Sequence, residues 1–340
     1  LLAQQLWFSQ PFEVQIRDTR LPAPAAGQVL VKTLCSAVSA GSELLVYRGQ
    51  LPPGIDLDAT LKSLQHAPTY PLPYGYACVG RVEQLGEGVD PTWRDTLVFS
   101  FQPHASRFIA TPDQLLAVPD GIEPEAAVFL ANAETAVSLV HDGAPLLGER
   151  VVVLGQGVVG LLLTGLLADF PLDQLFTVDA FALRREWSIK LKASGAFDAT
   201  VATQIAQLKT MLMATDANGA DLLYEVSGQP QALNLAIDLC GFASRVVVGS
   251  WYGEKSAPIA LGGAAHRNRV RFTTSQVSSI DPVLSGRWDK TRRFTAAWRA
   301  IRQLSPQQWI THRYPLAQAG ELYQRLDQTP ESVLQALLVY

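Results

Sequence analysis

The sequence predicts an α/β protein in which a doubly wound parallel sheet is joined to a β-rich, partly open barrel. Three observations carry that expectation. A strand, a glycine turn and a helix follow one another from Val151 to Ala168. Strands and helices alternate regularly beyond Arg150. Short strands punctuated by Gly and Pro fill the chain before Glu123. A length of 340 residues is enough for about two domains with cores of their own.

The elements justify themselves in chain order. Val29-Leu-Val-Lys-Thr-Leu alternates, Tyr76 to Glu83 runs into the turn Gly86-Glu-Gly, and Thr96-Leu-Val-Phe-Ser-Phe is another short strand. Pro52-Pro-Gly, Pro71-Leu-Pro and Pro103 separate them. Glu123-Pro-Glu-Ala-Ala starts a helix that should run to about Val140, since Pro suits a first helical turn. Then come a strand at Val151–Leu154, a helix at Val158–Ala168 and a strand at Leu175–Asp179. A helix over about Arg184–Ala193 follows, and strands Ala220–Val226 and Arg245–Gly249 flank a helix at Pro230–Leu239. Their Val- and Leu-rich runs suit a parallel sheet buried on both faces. Thr311 to Tyr340 returns to strand, short helix and strand, and should rejoin the first domain. The expected division is 1–125 for a catalytic domain, 126–285 for a dinucleotide-binding domain and 286–340 for the return.

Composition narrows the function. Hydrophobic residues make up 48% and charged residues 17%, which raises the question of a membrane. Val151–Ala168 passes without a charge, at the lower length limit for a span. Four glycines and Gln156 interrupt it, and a strand–turn–helix buried in a sheet needs the same apolarity, so it reads as core. With 31 acidic against 27 basic residues there is no general attraction to nucleic acid or anionic lipid. The N-terminus lacks a basic region followed by an apolar stretch, so no secretory signal is expected. Cys35, Cys78 and Cys240 stand alone without a CxxC, which fits buried thiols in a reducing, cytoplasmic setting.

Gly155-Gln156-Gly157-Val158-Val159-Gly160 matches G-x-G-x-x-G in the context that gives the motif meaning, after a strand and at the opening of a helix. Gly155 serves the tight turn, Gly157 admits a pyrophosphate and Gly160 lets helix and strand pack closely. The helix N-terminus supplies free N–H groups for the phosphates. Asp179, nineteen residues after Gly160, is placed to accept the adenosine ribose hydroxyls. Its carboxylate would repel a 2′-phosphate, so NAD(H) is favoured over NADP(H). Arg184 and Arg185 complicate that preference, either as solvated helix-start residues or as a cover for adenine or a 2′-phosphate.

The order of a β-rich domain, a linker helix, a dinucleotide-binding domain and a C-terminal return resembles the medium-chain dehydrogenase/reductase superfamily over nearly the whole chain. The residues that carry the resemblance are Leu30-Val-Lys-Thr, Tyr47-Arg-Gly, Pro73-Tyr-Gly-Tyr-Ala-Cys-Val-Gly-Arg-Val, Leu85-Gly-Glu-Gly-Val and the run from Gly148 to Gly160. Within it, Ser39-Ala-Gly-Ser-Glu, Phe101-Gln-Pro-His-Ala-Ser and Thr311-His-Arg-Tyr-Pro-Leu look like the bacteriochlorophyllide a dehydrogenase branch. The resemblance implies a Rossmann unit with a GroES-like barrel. It also implies Asn132 and Thr135 near the nicotinamide, Ser227 and Ser250 as further cofactor contacts, and a homodimer through the sheet edge at Val270–Thr274.

The chain departs from the resemblance at the zinc positions. A ligand Cys is replaced by Ser39 or Ala40, Gly-His-Glu becomes Gly75-Tyr76-Ala77, and the third ligand region reads Leu130-Ala-Asn-Ala-Glu, with Glu134 the one candidate. No cysteine lies between Asp95 and His104, so the structural zinc lobe is missing too. A zinc-free enzyme is expected. Tyr76, Ser42, Glu43 and His104 are then the candidates for handling the proton, with Ser42 and Glu43 in a turn and His104 in a loop. Plainer readings stand beside these: a tethered core tyrosine, a solvated loop histidine, and a Glu43 that bonds backbone or Arg48. His66, His141, His266 and His312 carry little weight as catalytic groups.

Tyr70, Tyr74, Tyr76, Phe99, Phe101 and Phe108, with Trp251-Tyr252, either form core or line a cleft for a bulky apolar substrate. The expected activity is hydride transfer between NAD(H) and an alcohol/carbonyl pair, on a tetrapyrrole-like substrate if the branch resemblance extends that far. A quinone or enoyl reductase and a non-catalytic dinucleotide-sensing protein are the alternatives.

Overall fold

The computed structural model describes residues 1–54, 56–58, 61, 64, 65, 67–213 and 218–340. His66 lies outside the described residues. Two compact units emerge: Leu1–Ala131 with Ile301–Tyr340, and Asn132–Ala300.

The first unit opens with an antiparallel hairpin of β1 (Leu2–Gln10) and β2 (Glu13–Arg20). Its turn places Phe12 at φ 64. Next come β3 (Val29–Val38), helix α1 (Ala40–Tyr47), β4 (Cys78–Leu85), β5 (Leu97–Ser100), β6 (Arg107–Ala110) and β7 (Leu116–Ala117). Ser42 and Glu43 therefore sit in a helix rather than the expected turn. Ser39 precedes that helix as its N-cap, and the Glu43 carboxylate reaches back to accept the Ser39 N–H at 2.7 Å, satisfying a donor the helix cannot use. The helix expected from Pro124 to Val140 is split into α2 (Pro124–Ala127) and α3 (Leu130–Gly143).

The second unit alternates strand and helix: β8 (Arg150–Leu154), α4 (Val158–Leu167), β9 (Gln174–Val178), α5 (Ala182–Lys190), β10 (Gly195–Phe197), α6 (Ala202–Met213), β11 (Ala220–Glu225), α7 (Ala232–Leu239), β12 (Cys240–Val248) and β13 (Arg271–Thr274). The strands pair in the order β10-β9-β8-β11-β12-β13, and every pairing is parallel. Counted within this unit that is the 3-2-1-4-5-6 order of a Rossmann sheet, with its switch point between β8 and β11. All five residues of β8 are buried, as a strand covered on both faces requires. None of the helices among the described residues is long and apolar enough to cross a membrane.

After α8 (Lys290–Leu304), the chain re-enters the first unit as β14 (Ile310–Pro315), α9 (Ala319–Gln328) and β15 (Gln335–Val339). The resulting seven-stranded sheet runs β14-β15-β3-β4-β5-β7, with β6 also pairing β3. A core containing Leu6, Phe8, Leu45, Tyr47, Tyr74, Leu322 and Tyr323 packs α1 and α9 together.

Candidate functional site

The glycine loop in the second unit has three distinct demands on space. Gly155 sits at φ +95, and a Cβ there would come within 2.5 Å of the Ser227 Cα. Gly160 faces the Gly155 carbonyl oxygen, which an added Cβ would approach to 2.0 Å. Gly157, the N-cap of α4, has nothing within 4 Å of a Cβ position, so the space in front of its backbone is open. An open backbone at a helix N-terminus fits a pyrophosphate.

Asp179 follows β9 and is buried. Its Oδ2 accepts the Gln156 N–H at 2.7 Å and its Oδ1 accepts the Phe181 N–H at 2.8 Å. Each oxygen keeps acceptor capacity for a further donor. The two arginines separate clearly. Arg185 donates to the Asp179 carbonyl at 2.8 Å and pairs with Asp198 at 2.9 Å. Arg184 lies 3.8 Å from Asp179 Oδ2 over the Phe181 ring, and burial lowers its pKa. The Gln156 side chain turns inward instead: its amide donates to the Gly155 carbonyl, and its oxygen accepts the Thr164 and Ser188 hydroxyls, both at 2.9 Å. Val158 and Val159 are half-buried, as are Thr135, Ser227 and Ser250, while Asn132 on α3 is buried.

In the first unit the structure brings together all four proton-handling candidates, in two layers. The Tyr76 hydroxyl donates to Ser39 Oγ and lies 3.2 Å from Ser42 Oγ. These three side chains are half-buried. Burial pushes the Tyr76 phenol up to about 12, against the opposing pull of the two serine hydroxyls, so at neutral pH it is a proton donor.

The second layer is buried apart from Tyr340, which is half-buried. Glu43 Oε2 meets His104 Nε2 at 3.0 Å and accepts the Tyr323 hydroxyl. His104 Nδ1 lies 2.7 Å from Ser36 Oγ, which in turn is 2.8 Å from the Tyr340 hydroxyl. Burial raises both tyrosines well above the usual phenol range. A carboxylate accepts only, so Nε2 is the ring nitrogen that carries a proton towards Glu43. The two layers join at Ser39, whose hydroxyl holds Tyr76 and whose peptide N–H holds Glu43. A peptide N–H is not a proton carrier, so the deep layer fixes the position of Ser39 rather than conducting to Tyr76. Ser36, Tyr323 and Tyr340 carry no local sequence signal of this role, and Ser39 stands out in the sequence only as the replacement for a ligand Cys.

The positions where the resemblance implies zinc ligands hold other chemistry. Ser39, Ser42 and Tyr76 offer neutral hydroxyls to one another, and a catalytic zinc takes thiolate, imidazole or carboxylate. Glu134, the remaining candidate ligand, is buried in the second unit against Arg293, which donates Nε and Nη2 to its Oε1 at 3.0 and 2.7 Å. Lys290 approaches the same oxygen to 3.8 Å. The donor set does not fit a catalytic zinc. Of the aromatic set, Tyr74, Phe99 and Phe108 are core, while Tyr70, Tyr76 and Phe101 are half-buried. Trp251 is exposed and Tyr252 half-buried in the second unit.

Comparison with known proteins agrees with this architecture. No protein-family model matches the chain. Over 222 residues it is 26% identical to D-guloside 3-dehydrogenase of Escherichia coli, an alignment covering 64% of this chain and 62% of that enzyme. The NADH complex of the alcohol dehydrogenase RspB from Escherichia coli superposes with TM-score 0.78 at 16% identity, covering 100% of this chain and 99% of that one. A candidate zinc-binding dehydrogenase from Sinorhizobium meliloti bound to NADP gives TM-score 0.77 at 15% identity, covering 100% of both chains. In fold the chain is similar to these NADH- and NADP-bound dehydrogenases, and the segment it shares with D-guloside 3-dehydrogenase spans less than two thirds of that enzyme.

Proposed function

We propose that the protein is a zinc-independent, NAD(H)-preferring oxidoreductase that interconverts an alcohol and a carbonyl, with Tyr76 supplying the proton. The observation that carries this reading is the Tyr76–Ser39–Ser42 hydroxyl cluster, a neutral proton donor with hydroxyl partners where a metal-dependent relative would place ligands. The dinucleotide, held by Gly155, Gly157, Gly160 and Asp179, supplies or accepts the hydride. The Tyr76 hydroxyl then supports the charge that develops on the carbonyl oxygen. Asp179 with spare acceptor capacity supports NAD(H), and Arg184 is the residue through which NADP(H) would be tolerated, since Arg185 is committed to Asp198.

The bulky, tetrapyrrole-like substrate rests on the branch resemblance and on Tyr70, Tyr76 and Phe101. Homodimerisation rests on β13, the outer strand of the parallel sheet, whose four residues are all exposed. A cytoplasmic location rests on three free, buried thiols.

The test is turnover by chelator-treated protein of a panel of sugar alcohols, aryl alcohols and hydroxyethyl tetrapyrroles with NAD and NADP. Activity is expected to survive chelation, to prefer NAD, and to fall by about 10²- to 10⁴-fold in kcat for Tyr76→Phe. Zinc-dependent recovery of activity, or a fully active Tyr76→Phe, would refute it. Turnover of quinones or enones with NADPH alone would show a double-bond reductase instead, and dinucleotide binding without any turnover would show a sensing protein.

A further inference from the structure

We propose that Glu225 is a positioning residue for the cofactor cradle, locking the turns that follow β11 and β12 around the glycine loop. The proposal rests on the reading that this loop binds a dinucleotide. Glu225 ends β11 and is completely buried. Its Oε1 accepts the Ser227 N–H at 2.8 Å and the Ser227 hydroxyl, and its Oε2 accepts the Tyr252 hydroxyl at 2.5 Å. One carboxylate thus holds the turn that follows it and a second turn through Tyr252, 27 residues further on.

Two further bonds close the same seam. The Gly228 N–H donates to Ser250 Oγ at 2.8 Å, and Lys255 Nζ donates to the Gly228 carbonyl at 2.8 Å. The third turn is the glycine loop itself, whose Gly155 leaves no room for a side chain against the Ser227 backbone. These turns leave the carboxyl ends of β8, β11 and β12, adjacent strands beside the switch point where an open parallel sheet binds its ligand. Ser227 and Ser250, the candidate cofactor contacts on these turns, are therefore oriented from below by a group with no surface of its own. The sequence shows Glu225 only as the penultimate residue of the apolar strand expected at Ala220–Val226.

The experiment compares wild type, Tyr252→Phe, Glu225→Gln and Glu225→Ala by calorimetric titration with NAD(H) and by steady-state kinetics. Tyr252→Phe removes a single hydrogen bond and keeps the ring, so it keeps the test meaningful if Glu225→Ala fails to fold. Tyr252→Phe is expected to weaken dinucleotide binding about 5- to 30-fold and to raise its KM alike, with kcat at saturating cofactor within about twofold. Glu225→Gln keeps an acceptor for Ser227 and an amide for the Tyr252 oxygen, and is expected to recover most of the affinity that Glu225→Ala loses. A folded Tyr252→Phe with wild-type Kd would overturn the proposal. Wild-type protein that binds no dinucleotide would instead overturn the reading beneath it.

Discussion

Substituting Ala at Gly157 and at Gly160 should separate cofactor binding from folding within a single loop. At Gly157 the backbone lies at φ −67, which Ala adopts freely, and the new methyl meets nothing within 4 Å. The loss is then that of a good N-cap residue, up to about 1 kcal/mol. For a unit of this size that lowers Tm by no more than about 4 °C. The methyl does, however, occupy the space through which a phosphate must approach the loop N–H groups, so the dinucleotide Kd should rise at least about tenfold. At Gly160 the methyl would sit 2.0 Å from the Gly155 carbonyl oxygen and 2.9 Å from its carbon. Backbone cannot swing aside as a side chain does, so the overpacking costs about 3 kcal/mol, and Tm should fall by roughly 6–12 °C. Thermal melts and NAD(H) titration of both variants decide the matter. A Gly157→Ala protein that binds NAD(H) as wild type does, or a Gly160→Ala protein that melts with wild type, would refute this account of the loop.

Two other perturbations follow from the buried groups. Glu134→Ala strips Arg293 of its buried carboxylate and should cost about 3–5 kcal/mol, whereas adding Arg293→Met to that variant should recover part of the loss; equal melting of single and double variants would contradict it. Burial pushes Cys35 and Cys240 up to about 12, and Cys78 upward for the same reason. Folded values above unfolded ones mean that stability is full below about pH 8.5 and declines as pH rises towards 12. Native protein should resist thiol reagents at neutral pH and yield three reactive thiols on denaturation, and rapid native labelling would count against the burial.

What was legible in the sequence was what is local in the fold. The glycine loop is contiguous, so its strand, turn and helix declare themselves within a few residues, and β8, α4 and β9 lie where periodicity and spacing put them. The β1–β2 hairpin was not, because its turn uses Phe12 at positive φ where Asn or Gly is the usual signal. Helix α1 stands where the resemblance implies a turn: Ser, Ala, Gly and Ser open it, and its stabilising partner, Glu43, works through a side chain. Glu43 meets Tyr323 across 280 residues, and Ser36 meets Tyr340 across 304. Contacts at such separations leave no trace in spacing. The same holds for Glu134, whose partner Arg293 lies 159 residues away. One signal was present and unused: Arg293, Ala297, Ala300 and Ile301 recur at helical spacing and mark the buried face of α8.

Sheet order also sets a schedule for the growing chain. The strands of the parallel sheet are all contained between Asn132 and Ala300, so once this stretch has left the ribosome nothing later is needed to complete that sheet. The other unit must wait. Its strand β15 lies inside the sheet, between β14 and β3, and Tyr323 belongs to the last helix. Until those residues emerge, β3 has a bare edge and the Glu43–His104 pair lacks a roof. The unit that begins first in sequence is therefore the one that finishes last, and the β3 edge stays unpaired until the C-terminal strand arrives.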